Sequence, residues 1–178
     1  MRLLRNLIIG LVALVAVLAV AAFALPREVT VARSITVAAP PGVVFPYVNS
    51  LREFTRWSPW TAMDPDMKVT HDGAPEGVGA RMTWASANGQ VGTGTEEITE
   101  SVLDERVAAR IEFGGMEPSA AYFDLEPEGD GTLVTWTLVA DMGMNPIGRW
   151  MGLLAMDRMV GKDFDTGLAR LKTLAEAG

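Results

Sequence analysis

The chain has 178 residues, enough for one domain and a short appendage, and 49% of them are hydrophobic. It carries a net charge of −7 and no cysteine. An acidic chain lacks the basic stripe that a nucleic-acid backbone requires, so no nucleic-acid partner is expected. The missing thiols exclude disulfide frameworks, thiolate catalysis and Cys-ligated metals, and the single histidine excludes an imidazole cluster. Neither a metal nor another cofactor is expected.

Leu7 to Leu25 is an unbroken apolar run behind Arg2 and Arg5. At about 1.5 Å per residue it nearly spans a hydrocarbon core of about 30 Å. It also has features of a signal peptide: a basic start, an apolar middle and Ala22-Phe23-Ala24 as a small-x-small cleavage pattern. The run exceeds the roughly 7–15 residues of a signal's middle region, which favours a retained anchor. Residues 1–26 are therefore expected to be a single transmembrane segment and residues 27–178 the folded domain. The positive-inside bias places the N-terminus in the cytoplasm and the domain outside, in the periplasm or at the cell exterior; Arg27 and Arg33 weaken that asymmetry. Pro26 ends the segment and starts a short linker.

Past the linker, Val29, Val31, Ile35 and Val37 alternate with Thr30, Ser34 and Thr36, the period of a strand. Pro41 suits a first helical turn, and Val44, Tyr47, Val48 and Leu51 recur at helical spacing. A second short helix is expected over Leu51 to Trp57, ended by Ser58-Pro59. Turn-separated strands follow. Lys68 to His71 is weak, Ala80, Met82 and Trp84 share a face, and Val91 to Val102 is long, with Gly92 and Gly94 on the face of Ile98. Two glycines on one face let a sheet bend or let a group approach its backbone. Three more alternating runs centre on Val107 to Phe113, Ala121 to Leu125 and Val134 to Leu138. The last segment, Pro146 to Glu176, has helical rhythm, apolar on more than one face in its first half. The order predicts an α+β domain: a curved antiparallel sheet of about seven strands wrapped on a long C-terminal helix, with two short helices after the first strand.

Several motifs carry a resemblance that covers nearly the whole of this part. They are Arg33-Ser34-Ile35, Ala39-Pro40-Pro41, Trp57-Ser58-Pro59-Trp60, Gly77-Val78-Gly79, Glu97-Ile98-Thr99-Glu100-Ser101, Leu125-Glu126-Pro127 and Gly161-Lys162-Asp163-Phe164. In this order the sequence resembles the polyketide cyclase/dehydrase-like branch of the SRPBCC (START-like) superfamily, in particular its membrane-anchored bacterial members. The resemblance implies a helix-grip fold with a deep apolar pocket and leaves the reaction open.

Candidate ligand-binding residues are Trp57, Trp60, Trp84, Tyr122, Trp136 and Trp150, with Met151 and Leu154 of the last helix. Large rings over a concave sheet make an apolar pocket with polar handles, and each ring is equally suited to plain core. Tyr122 alternates with Phe123, so either can face outward. Met142, Met144, Met156 and Met159 add flexible apolar surface or fill gaps. His71 beside Asp72 reads as a surface pair rather than a base. Glu96 and Glu100 share the face of Gly94 and Ile98; solvation, or pairing with Arg106 and Arg110, is favoured over a carboxylate inside the pocket. No catalytic residue is assigned. The leading function is membrane-tethered binding of an apolar small molecule or lipid. The rivals are a cyclase or dehydratase-like enzyme in the same pocket, and an envelope module that binds a partner and no ligand. Oligomeric state is left open.

Overall fold

The computed structural model describes residues 1–114 and 117–178. Helix α1 (Arg2–Ala21) runs into a 3₁₀ turn (Ala22–Ala24) and then β1 (Glu28–Val37). Three short helices follow: α2 (Pro41–Asn49), α3 (Leu51–Trp57) and α4 (Pro59–Met63). Next come β2 (Lys68–Gly73), β3 (Ala80–Ala85), β4 (Thr93–Val102), β5 (Arg106–Phe113), β6 (Ser119–Glu128) and β7 (Gly131–Asp141). The chain closes with α5 (Pro146–Met151), a π-helical turn (Gly152–Met156) and α6 (Asp157–Ala177). The expected architecture is present, with one helix more than expected. Pro59, which ends α3, also starts α4, because its fixed φ and missing N–H suit a first helical position.

All seven strands join one antiparallel sheet in the order β1-β7-β6-β5-β4-β3-β2. β1 therefore pairs with the last strand, and α2 to α4 bridge the open end between β1 and β2. α6 lies across the concave face. Phe164, Leu168, Leu171 and Ala175, spaced three to four apart, are its buried stripe. Gly167 lets it come close, since a Cβ there would stand 2.9 Å from the Trp136 ring and 3.1 Å from Pro59.

α6 also covers the free edge of β1. Arg33 reaches from β1 to both carboxylate oxygens of Asp157 at 2.9 and 3.1 Å, Lys172 donates to the Thr36 carbonyl at 2.7 Å, and the Ala38 N–H donates to Glu176 at 2.7 Å. A strand edge satisfied in this way is closed to pairing with another chain.

One irregularity sets which side chains enter the concave face. The β4–β5 register runs Ile98↔Ala109 and then Glu100↔Ala108, leaving Thr99 as a β-bulge. The extra residue reverses the alternation, so Glu96 and Ile98 are buried while Glu100 turns out to solvent.

Candidate functional site

A cavity of about 260 Å³ remains between the sheet and the helices. Its floor is the concave face: Met82 and Trp84 of β3, Glu96 of β4, Ile111 and Phe113 of β5, Ala121 of β6, and Trp136 and Leu138 of β7. Phe54 and Trp60 close it from α3 and α4, and Met156, Val160 and Phe164 close it from the last helix. The half-buried or exposed members of the wall, Thr61, Gln90, Met159 and Asp163, place the mouth between α4, the β3–β4 loop and the start of α6. Ser86 donates to Asp64 across that loop and ties it to the end of α4.

Most of the aromatic pairs meet edge to face, which suits their quadrupoles, and two pairs on Trp136 are stacked. Trp136 stacks on Phe164 with centroids 3.8 Å apart and presents an edge or face to Phe54, Trp57 and Trp60 at 5.9, 5.4 and 5.7 Å. Trp84 lies over the β4 backbone, where Gly94 makes room; a Cβ there would stand 2.5 Å from the indole and from the Glu112 carbonyl. Its Nε1 donates to the Val91 carbonyl at 3.3 Å.

Two polar groups stand out in this apolar wall. Glu96 is 5% exposed, and burial pushes its carboxyl up to about 7. No cationic side chain lines the cavity among the described residues; the other ionisable group is Asp163 at the rim, which partial burial also raises. The Thr61 hydroxyl is buried without a hydrogen-bond partner. A buried carboxyl and an unpaired hydroxyl are hydrogen-bonding positions for a polar atom on an otherwise apolar molecule. No group of three or more His, Asp or Glu suited to a metal occurs among the described residues.

Of the eight residues singled out from sequence, the structure brings Trp60, Trp84 and Trp136 to the cavity wall. Trp57 lies one layer behind, fully buried, donating to the Tyr47 carbonyl at 3.0 Å. The pleat of β6 turns Phe123 inward and Tyr122 to the opposite face, under the Arg106 guanidinium at 4.7 Å. Trp150, Met151 and Leu154 are also away from the cavity, because α5 runs past the end of the sheet toward α1. Met151 and Leu154 are exposed. Glu96 corrects the favoured reading of its acidic run, while Glu100 follows that reading, 3.8 Å from Arg106. His71 lies on β2 with Nε2 3.3 Å from the Leu51 carbonyl of α3, outside the cavity. Sequence does not single out Phe54, Ile111 or Val160, since apolar periodicity does not say which side chain borders a void.

A bent antiparallel sheet gripping a long C-terminal helix around an apolar cavity defines a helix-grip protein of the START-like class. The chain belongs to the polyketide cyclase / dehydrase and lipid transport family, whose model matches residues 28–176. Solved structures of the same fold include a Thermobifida fusca protein at 23% identity and TM-score 0.62, covering 82% of this chain and 92% of that one. The Thermus thermophilus protein TTHA0849 aligns at 20% identity and TM-score 0.62, over 83% and 97% of the two chains. Protein CV1439 from Chromobacterium violaceum does so at 17% and 0.61, over 83% and 98%. A comparison with curated proteins gives no match.

Proposed function

We propose that this chain binds a hydrophobic small molecule or lipid in the cavity between sheet and C-terminal helix, held at a membrane by α1. The cavity carries the reading. A dry cavity of about 150 Å³ accepts one benzene ring, so 260 Å³ has room for a larger apolar group such as a length of acyl chain or a fused ring. An open space of this kind does not suit a partner-binding module whose own side chains fill its core. The ligand contacts we propose are Trp60, Trp84, Trp136 and Met156, with Glu96 and Thr61 meeting its polar atom. α1 supports the tether: Arg2–Ala24 has a mean hydropathy of 3.0 over its most apolar window and is long enough to cross a bilayer. The acidic charge balance of the chain is compatible with solubility beside that bilayer.

A second reading has one observation in its favour. A carboxyl titrating near 7 in an apolar cavity is matched to general acid–base work at neutral pH, as a cyclase or dehydratase-like reaction needs. Photolabelling tests the binding, and turnover of the bound molecule separates the two readings. Full-length chain in nanodiscs is irradiated with a diazirine-bearing fatty acid, and labelled peptides are mapped. Binding predicts label on peptides containing Trp60, Trp84 or Met156, and loss of that label when Ala121→Trp fills the cavity. Label confined to α1, unaffected by Ala121→Trp, would count against a ligand site. Glu96→Gln keeps the label under the binding reading and abolishes turnover, without losing the label, under the enzymatic one.

A further inference from the structure

α5 and the π-helical turn carry an apolar surface that the fold leaves uncovered. Met144 in the preceding turn, then Ile147, Met151, Leu153 and Leu154, are 70%, 73%, 52%, 54% and 72% exposed. Single exposed apolar side chains are ordinary, whereas a contiguous group marks a contact surface.

The neighbouring contacts indicate what covers it. Trp150 donates from Nε1 to the Leu18 carbonyl at 3.0 Å. Arg149, 7% exposed, donates to the carbonyls of Ala22, Phe23 and Leu25 at 3.4, 3.3 and 3.3 Å, and its guanidinium lies 5.3 Å from the Phe23 ring centroid. Leu18 is inside the 23-residue candidate span Arg2–Ala24. That span is about 35 Å long at 1.5 Å per residue, against a hydrocarbon core of about 30 Å. Leu18 lies about 9 Å inside the Ala24 end of that span, so a helix bonded to it stands in the outermost part of the hydrocarbon core, beside the bilayer boundary. The joint has little slack, since only Leu25-Pro26-Arg27 separate the 3₁₀ turn from β1, and Arg27 pairs with Asp141 at 2.6 Å.

We infer that α5 and the π-helical turn lie in the interfacial layer of the bilayer that α1 crosses, so that the cavity mouth opens beside the lipid surface. The inference rests on the reading of α1 as a membrane span. Ile147, Met151 and Leu154 dip into the layer, and Trp150 takes the depth at which amphipathic rings are enriched. Met159 links this face to the cavity: it is 59% exposed and forms part of the rim, less than two turns beyond Leu154 on the same continuous helix. Met156 and Val160 continue the apolar path inward. The partner is the acyl-chain and headgroup boundary itself, and an apolar molecule passes from it to the cavity without crossing open water.

The absence of cysteine allows single labels without background. Nitroxides at Ile147→Cys, Leu154→Cys and Met159→Cys are read by power-saturation EPR in full-length chain in phosphatidylcholine nanodiscs. Leu11→Cys in α1 and Thr173→Cys near the far end of α6 serve as references. The first two positions are highly exposed and the third is exposed, so labelling them leaves the fold intact. Oxygen-over-nickel accessibility is expected to be several-fold higher at Ile147, Leu154 and Met159 than at Thr173. Equal values at Leu154 and Thr173, with Leu11 in lipid, would overturn the docking and leave α1 a span. A water-exposed Leu11 would remove the span and the inference together. Dipolar broadening between Leu154 labels would place a second copy of the chain on this face and overturn the inference as well. Cavity photolabelling uses none of these labels, so loss of the ligand reading and loss of the docking are told apart.

Discussion

Glu96 shows what a single buried charge does to an apolar wall. Among the described residues no cation lines the cavity beside it, and desolvation raises the carboxyl from 4.5 to about 7. The folded state then holds a proton that the unfolded chain has already released between these two values. Stability from this group is full below about 4.5 and is lost as pH rises through 7. The cost above 7 is at most about 3–4 kcal/mol, since a tenfold change in proton affinity is worth about 1.4 kcal/mol. Urea unfolding at pH 5 and pH 8 should show Glu96→Gln gaining on the native protein at the higher pH, by up to that amount; parallel pH curves would refute the assignment. Trp136 is the other decisive side chain, because five other aromatic rings of the core and wall pack against it. Trp136→Ala should cost about 3–5 kcal/mol in denaturant midpoint analysis.

The π-helical turn shows how a helix changes partners along its length. Before it, α5 packs against α1 and the 3₁₀ turn; after it, α6 packs against the sheet. Single-turn π segments recur at functional sites, and this one carries Leu153 and Leu154 of the exposed apolar face together with Met156 of the cavity wall. Gly152 sits at its start because a Cβ there would stand 2.7 Å from Val29 and 3.1 Å from Met142. Gly152→Ala should lift the helix from β1 and lower stability by about 1–3 kcal/mol in thermal unfolding. Arg149 donates to carbonyls of the 3₁₀ turn and linker that follow α1. Arg149→Ala should free the Leu25–Arg27 joint, read as faster trypsin cleavage after Arg27 in nanodisc-held protein, with unchanged rates elsewhere in the domain.

At the scale of the molecule, the domain is joined to α1 by hydrogen bonds as well as by the chain. A tether concentrates a binding domain near molecules dissolved in a bilayer, and a fixed orientation adds a direction to that proximity. If α1 spans the bilayer, full-length chain should remain in the membrane pellet after alkaline carbonate. Release into the supernatant would mean that the segment is peripheral or removed.

The element order, apart from α4, is legible in the sequence, because strand and helix periods and Pro/Gly boundaries are local properties. Val29 to Val37 and the Phe164-Leu168-Leu171 stripe were legible for that reason, and so was the apolar N-terminal run. Tertiary structure decided everything that depends on which face a residue takes. Glu96 and Glu100 have the same parity in the sequence, and only the bulge at Thr99, formed against β5, buries one and exposes the other. Tyr122 and Phe123 were indistinguishable until β6 was placed in the sheet. The apolar first half of the last helix read as pocket, yet Trp150, Met151 and Leu154 lie at the α1 junction, because helical periodicity records that a face is apolar and not what meets it. A cavity is a mismatch between the curvature of a sheet and the filling power of the helices across it, and that mismatch exists only once the elements are assembled.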